Sequence, residues 1–115
     1  MREMSFKRSD CAIACALDLI GDKWTLLIVR DLLLGRSRYG EFLNAGERIP
    51  TNILARRLRR LEAAGLVERK LDPRPRSRYA YRLTRRGRRL GPLLAALRDW
   101  GRRIPGTRVA PALRG

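Results

Sequence analysis

The sequence predicts a mainly α-helical domain that carries one small β-hairpin. Apolar residues recur at helical spacing at 11–20 and 51–64, which gives each segment one apolar face. The spacing then changes to strict alternation at 67–71 and 78–83, the period of a half-buried strand. A turn rich in proline and arginine separates the two alternating segments, so they are expected to pair as a hairpin.

The first helix is predicted over 11–20, with Ser9 or Asp10 as its N-terminal cap and Gly21 as its end. The face that we expect to pack into the core consists of Ile13, Leu17 and Ile20. The opposite face carries Cys11, Cys15 and Asp18 and should meet solvent or a partner.

The second helix, 23–34, is apolar nearly all round and is expected in the middle of the core. Asp22 is placed to cap its free amides. Ser37 can cap a short third helix over 38–44, and 45–50 forms a glycine-containing turn.

A fourth helix is predicted over 51–64 with Thr51 as its N-cap, and Gly65 provides the left-handed residue that ends it. After the hairpin, Thr84 is expected to cap a last helix, which the Gly-Pro pair at 91–92 should kink or split. Helix, turn, helix and hairpin in this order predict a winged helix-turn-helix domain.

The charge of the chain indicates a polyanionic partner. Lys and Arg number 27 against 11 Asp and Glu, which gives a net charge of +16. Fourteen of the basic residues lie within 51–90, together with only three acidic ones, so the charge is concentrated in the fourth helix and the hairpin. Double-stranded DNA is the partner that this pattern favours.

The exposed face of the fourth helix is the predicted DNA-reading surface, because the second helix of such a motif fits the major groove. Leucines form its packed face: Leu54, Leu58 and Leu61. The residues expected to contact DNA from this helix are Thr51, Asn52, Ala55, Arg56, Arg59 and Arg60. Asn and Arg side chains suit this role, since they can bond adenine and guanine bidentately. A merely solvated cationic face is the alternative.

The hairpin tip is expected to act as a wing that enters a minor groove or binds phosphates. Its candidate contacts are Arg74, Arg76 and Arg78. Additional phosphate contacts are predicted at Arg38 and Ser37. A solubilising loop is the alternative reading of the tip.

Three regions follow from these elements. Residues 1–8 are expected to be a flexible N-terminal arm, 9–101 the winged helix-turn-helix domain with terminal dimerisation helices, and 102–115 a loose C-terminal tail.

Several runs of residues resemble one known group of regulators. They are CAIA at 11–14, ALDLIGDKWTLLI at 16–28, RYGEF at 38–42, TNILARRL at 51–58, LEAAGLV at 61–67, YAYRLTRRG at 79–87 and LRDWG at 97–101. Together they look like HxlR-type winged helix-turn-helix regulators, which are MarR-like, over roughly residues 9 to 101. The tip of the wing is richer in arginine than this resemblance leads us to expect.

The resemblance implies a homodimer built by the terminal helices, acting most often as a repressor. Each protomer would place its fourth helix in the major groove with the wing alongside. The residues expected at the dimer interface are Leu93, Leu94, Leu97 and Trp100.

Two cysteines raise the hypothesis of redox sensing. Cys11 lies at the first turn of a helix beside Arg8, where the helix dipole and the cation favour the reactive thiolate, although Asp10 opposes this. Some HxlR-type proteins use a cysteine at this position to sense oxidants or electrophiles. The alternative is that Cys11 and Cys15 are small apolar residues packed at a dimer interface.

Other function classes fit less well. A basic RNA-binding or assembly module without sequence readout is the alternative function, but Tyr79 and Tyr81 are expected in the core of the strand, which leaves no stacking platform. The absence of His and of a phosphate-binding glycine loop argues against an enzyme, and no cofactor or zinc site is expected. No apolar run approaches the ~20 residues that span a bilayer, and the cysteine usage favours the cytoplasm.

Overall fold

The computed structural model describes residues 8–72 and 79–108. Within these ranges the elements are α1 (Ala12–Ile20), α2 (Thr25–Leu33), α3 (Tyr39–Leu43), α4 (Thr51–Ala63), β1 (Val67–Leu71), β2 (Tyr79–Leu83), α5 (Arg85–Arg88) and α6 (Gly91–Gly101). The predicted fold class, mainly α-helical with one hairpin, is therefore confirmed. No helix of the described part is long and apolar enough to cross a membrane.

The two N-terminal helices begin one or two residues later than predicted. Cys11 is the extended N-cap of α1, and the Ser9 hydroxyl accepts the Cys11 N–H at 3.1 Å. At α2 the Asp22 carboxylate accepts the backbone N–H groups of Trp24 and Thr25, both at 3.1 Å, and the Thr25 hydroxyl at 2.5 Å. Asp22 therefore caps α2 as expected.

The predicted cap of the third helix is wrong. Arg38, not Ser37, is the N-cap of α3, and the Glu41 carboxylate accepts the backbone N–H groups of Ser37 at 2.8 Å and of Arg38 at 3.1 Å. A glutamate in the first turn can reach back to these amides, which is the half of a capping box that the sequence analysis overlooked.

Helix α4 is fixed at both ends and along one face. Pro50 is its N-cap, so that Thr51 is the first helical residue and not the predicted cap. At the other end Gly65 has a φ of 76°, a left-handed conformation that glycine adopts without strain. The buried face is the predicted leucine row, Leu54, Leu58 and Leu61.

Strands β1 and β2 form an antiparallel hairpin in which Val67 pairs with Leu83 and Leu71 with Tyr79. Tyr81 and Leu83 are buried as predicted. The prediction that Tyr79 lies in the core is wrong, because it is at the end of β2 away from the core and is 39% exposed. The hairpin also binds the segment before α3, since the Tyr81 N–H donates to the carbonyl of Ser37 at 2.8 Å.

The C-terminal helix is split as predicted, into α5 and α6; the break is at 89–90, and the Gly91-Pro92 pair begins α6. The Thr84 hydroxyl accepts the Gly87 N–H at 3.1 Å and caps α5. Gly87 is required at its position, since a Cβ there would lie 2.0 Å from the carbonyl oxygen of Leu66.

One hydrophobic core joins α2, α3, α4, the hairpin and α6. Its buried members include Ile28, Val29, Phe42, Leu54, Leu58, Leu61, Tyr81, Leu83 and Leu94. Helix α1 contributes mainly its C-terminal end, where Ile20 is buried. The prediction that Ile13 and Leu17 pack into this core is wrong, because they are 72% and 55% exposed.

Candidate nucleic-acid interface

Helix α4 presents its predicted reading surface to solvent. Thr51, Asn52, Arg56, Arg59 and Arg60 are exposed, and Ala55 is half-buried. Asn52 and Arg56 are one helical turn apart and project on the same side, opposite the buried leucines. The surface on which the DNA-reading hypothesis depends is therefore accessible and rigidly supported.

The four arginines of α4 divide into two pairs with different surroundings. Arg57 donates from Nε to the Asp22 carboxylate at 2.8 Å, and Arg60 donates to the backbone carbonyl of Asp18. Arg56 and Arg59 make no ion pair or hydrogen bond with another residue of the described part. The first pair holds α4 against the end of α1 and the start of α2, and the second pair is available for a ligand.

Asp22 is the centre of this support. Partial burial by itself would raise the pKa of its carboxyl, but hydrogen bonds from Thr25, Arg57 and the Trp24 N–H outweigh it and lower the pKa to about 2. The carboxylate is thus ionised at neutral pH, and one side chain both caps α2 and binds α4. The sequence indicates the first role, but it does not indicate the second.

An ion-pair network centred on the buried Asp31 holds the turn between α3 and α4. Asp31 is 4% exposed and accepts from Arg30 at 2.9 Å and from Arg36 at 3.1 Å. Arg30 also donates two hydrogen bonds to Glu47, at 2.8 and 2.9 Å, and these lower the pKa of Glu47. Burial raises the pKa of Asp31, against the effect of both arginines. The adjacent Arg30 and Asp31 within a largely apolar helix were the sequence signal for this network.

At the base of the wing, Arg38 donates to the carboxylate of Asp72 in an ion pair that is largely buried. Ser37 is half-buried and lies beside the hairpin through its backbone carbonyl. Both predicted phosphate contacts therefore lie where the wing joins the body. A phosphate bound by Arg38 would have to share its guanidinium with Asp72.

The strands of the wing carry further cations. The Arg69 guanidinium lies 4.4 Å from the centroid of the Tyr79 ring, and its Nε is 3.5 Å from Glu62. Arg82 donates to Glu68 at 2.5 Å. The predicted wing contacts Arg74, Arg76 and Arg78 lie outside the described residues.

The cysteines lie near the N-terminus of α1. Cys11 is exposed, Cys15 is half-buried, and both thiols are free. The Cys15 thiol donates to the carbonyl of Ser9 at 3.4 Å. Arg8, which the sequence analysis placed beside Cys11, forms an ion pair with Asp18 at 2.7 Å.

The predicted dimer surface on α6 is largely exposed. Leu93 is 41%, Leu97 46% and Trp100 66% exposed, and Ile104 continues the same row beyond the helix. Leu94, in contrast, is buried in the core of its own chain and cannot belong to this surface. The neighbouring leucine turns inward because residues one position apart in a helix face directions about 100° apart.

Comparison with known proteins decides the family. A family model described as HxlR-like helix-turn-helix matches residues 19–107, more than half of the chain. The chain belongs to the HxlR-like helix-turn-helix family. The resemblance noted in the sequence is confirmed, and this HxlR-like chain is a transcriptional regulator with a helix-turn-helix domain.

Individual relatives agree with this assignment. The HxlR-like chain is 38% identical over 91 residues to an uncharacterised HTH-type transcriptional regulator of Synechocystis sp., which covers 79% of this chain and 67% of that protein. The crystal structure of PA1607, a candidate transcription factor, is similar with a TM-score of 0.79 and 41% identity, over 92% of this chain and 75% of that one. The redox regulator HypR in its oxidised form gives a TM-score of 0.74 and 31% identity, over 87% and 100% of the two chains.

Proposed function

We propose that this chain regulates transcription by binding a specific double-stranded DNA site as a homodimer, with α4 in the major groove. The observation that carries the proposal is the exposed pair Asn52 and Arg56 on a helix whose opposite face is fixed in the core. The major groove is about 12 Å wide and admits such a helix, and these two side chains can identify adenine and guanine. The net charge of +16 provides the sequence-independent attraction.

In this proposal, α4 and the hairpin contact different parts of the DNA. The first turns of α4 read bases with Thr51, Asn52, Ala55 and Arg56. Arg59 binds a phosphate further along the helix, and Arg60 does so while it shares its guanidinium with the carbonyl of Asp18. The wing binds the flanking backbone or minor groove with Arg74, Arg76 and Arg78, assisted at its base by Arg38 and Ser37.

The homodimer is supported by apolar rows that the chain leaves uncovered. Leu93, Leu97 and Trp100 on α6 are exposed, and so are Ile13 and Leu17 on α1. Large contiguous apolar surfaces on a soluble domain mark sites of association. A two-fold dimer through these helices would present two reading helices to half-sites about one helical turn of DNA apart.

The decisive experiment is a selection of bound sequences from random DNA duplexes, followed by affinity measurements on the selected site. We expect a palindromic site, and we expect Arg56→Ala to lose discrimination at one base pair, with a cost of about 1–3 kcal/mol for the preferred base. Arg103→Ala, an exposed arginine beyond α6, is the matched control and should select the same site. An unchanged selection by Arg56→Ala would contradict the assignment of base reading.

The alternative function, a basic module that coats RNA, is tested with the same protein and the selected duplex. The selected duplex and a single-stranded RNA of equal length are titrated at several salt concentrations. We expect tighter binding to the duplex, with a slope of log affinity against log salt of about −0.9 for each phosphate neutralised. Equal or tighter binding to the RNA would favour the alternative.

We propose repression as the direction of regulation, since a dimer bound over a promoter excludes polymerase. Similarity to the redox regulator HypR and the exposed Cys11 thiol support control by oxidants. The step would be a disulfide between protomers, in which two thiols lose two electrons and two protons to the oxidant. Diamide should change the DNA affinity of the wild type and not that of Cys11→Ser, with Cys15→Ser as the control; an equal change in Cys11→Ser would exclude Cys11 as the sensor.

A further inference from the structure

Cys11 and Cys15 place two free thiols one turn apart at the start of α1. The Cys15 N–H donates to the carbonyl of Cys11 at 2.9 Å, which closes the first turn of the helix. Side chains of a helix lean toward its N-terminus, and the Cys15 sulfur reaches back to 3.4 Å from the carbonyl oxygen of Ser9. Cys11 is the N-cap, but its side chain makes no capping hydrogen bond. Both sulfurs therefore lie near the N-terminal end of α1, where one ligand can meet both.

The two thiols are accessible on a side of α1 that its apolar row leaves open. Cys11 is exposed and Cys15 is half-buried. At 100° for each residue they are about 40° apart around the helix, whereas Ile13 and Leu17 are at least about 120° from either. These two apolar residues are the ones that the proposed dimer would cover. A ligand of the thiols therefore does not compete with the dimer.

The spacing of the cysteines favours a bridge through one atom over a disulfide within the chain. Side chains one helical turn apart have their Cβ atoms about 5–6 Å apart, whereas a disulfide requires about 3.5–4.5 Å. Bonds from a thiophilic atom to sulfur, such as the zinc–thiolate bond, are about 2.3 Å long. Two such bonds in place of one sulfur–sulfur bond of about 2.05 Å give the wider span that the helix requires.

The number of donors selects the central atom of such a bridge. Within residues 8–72 and 79–108, no group of three or more Cys, His, Asp or Glu side chains is placed to hold a metal ion. A tetrahedral zinc site needs four ligands, so this pair is too small for one. Thiolates select soft centres. A trivalent arsenic atom that already carries one organic group has two positions left, and two thiols fill them.

We propose that Cys11 and Cys15 together bind a monosubstituted trivalent arsenical. An arsenoxide, R–As=O, condenses with the pair: two As–S bonds form, the As=O bond and two S–H bonds break, and the oxygen leaves with both protons as one water. Arsenic stays trivalent, so the step needs no oxidant or reductant. It differs from the disulfide proposed above, which joins two protomers and uses Cys11 without Cys15.

The site is connected to the reading helix through α1. Arg8 pairs with the Asp18 carboxylate at 2.7 Å, so the segment before α1 lies along the helix beside the thiols. The carbonyl of Asp18 accepts from Arg60 of α4. A bridge that takes the Cys15 thiol away from Ser9 changes the packing of this segment. A role in regulation rests on the proposed DNA-binding function, but the binding of arsenic does not, and it is measured without DNA.

The test uses phenylarsine oxide and the fully reduced full chain, with the adduct counted by mass spectrometry. We expect one phenylarsenic group on each wild-type chain. Cys11→Ser and Cys15→Ser should each bind it at least about tenfold more weakly, because the second thiol of the wild type is present at an effective concentration in the millimolar range. An excess of a small dithiol should remove the group, and the same excess of a monothiol should not.

A variant with the second thiol moved around the helix is the matched control. Cys15→Ser/Ala16→Cys keeps two thiols but places the second at an exposed position, about 140° around the helix from Cys11. It should bind phenylarsine oxide no more tightly than the single-thiol variants. Circular dichroism should show the same helical content in all variants before the reagent is added.

Two results would overturn the site. Equal binding by the wild type and by Cys15→Ser/Ala16→Cys would mean that the thiols react separately, and a phenylarsenic group that joins two chains would mean that the bridge is not within one chain. The regulatory role is tested on the selected duplex. If one arsenical binds and the affinity for the duplex stays the same, the regulatory role is wrong while the site stands; if the unmodified wild type selects no duplex, the proposed DNA-binding function is wrong instead.

Discussion

The ion pair between Asp22 and Arg57 gives the sharpest quantitative prediction. Asp22→Asn keeps the shape of the side chain and one oxygen for the N–H groups of α2, but it removes the charge that binds Arg57. The fall of the carboxyl pKa from 3.8 to about 2 corresponds to at most about 2.4 kcal/mol at 1.36 kcal/mol for each pH unit. Because the side chain is 22% exposed, we expect a loss of about 1–2 kcal/mol in the free energy of unfolding at pH 7.

The sign of the pH dependence follows from the lowered pKa. The ionised carboxylate stabilises the folded state above pH 3.8, and this stabilisation is lost as the pH falls toward 2. Urea unfolding of the wild type and of Asp22→Asn should therefore differ most at neutral pH, and the difference should shrink from about pH 4 downward.

Two controls make the measurement specific. Asp99→Asn removes a carboxylate that is 60% exposed and pairs with Arg98 and, at 4.0 Å, with Arg102, and it should change stability by less than about 0.5 kcal/mol. Combining Asp22→Asn with Arg57→Ala should cost less than the sum of the single changes, since both remove the same ion pair. A difference between wild type and Asp22→Asn that is absent at pH 7, or that persists unchanged to pH 2, would refute the reasoning.

Three further predictions test the core, the dimer surface and the close contact between the backbones of Gly87 and Leu66. Leu94→Ala should lower the free energy of unfolding by about 2–5 kcal/mol in a urea titration because it leaves a cavity in the core, and a loss below about 1 kcal/mol would contradict this packing. Trp100→Ala should instead weaken dimerisation in a sedimentation dilution series and leave the secondary structure by circular dichroism intact; an unchanged dimer would remove α6 from the interface. Gly87→Ala should lower the melting temperature because its Cβ would meet Leu66, and Gly91→Ala, with open space around it, is the control that should not.

Local features of the sequence predicted most of the fold. The leucine row of α4, the two strands and the break in the last helix each depend on residues close together in the chain, and all three are present in the structure. The alternation of buried and exposed residues holds along β2 but not along β1, where Leu71 is 75% exposed. Helix starts were displaced by one or two residues because a cap can come from a neighbouring side chain, as with Glu41.

The contacts that the sequence did not predict join residues that are far apart in the chain. Asp22 and Arg57 are 35 residues apart, and nothing in their separate surroundings indicates that they meet. Amphipathicity showed that Ile13 and Leu17 form an apolar face, but it could not tell whether that face packs on its own chain or on another. For the same reason, the sequence does not show that Arg57 and Arg60 bond to Asp22 and Asp18 while Arg56 and Arg59 do not.

The different roles of the α4 arginines allow the DNA-reading surface to be redesigned. Because Arg57 and Arg60 attach α4 to the rest of the domain, while the exposed side chains of Asn52 and Arg56 form no hydrogen bond or ion pair within residues 8–72 and 79–108, we expect that sequence preference and folding can be altered separately. A library randomised at 52 and 56 should keep most of its members folded, and new specificities could be selected from it without compensating changes elsewhere.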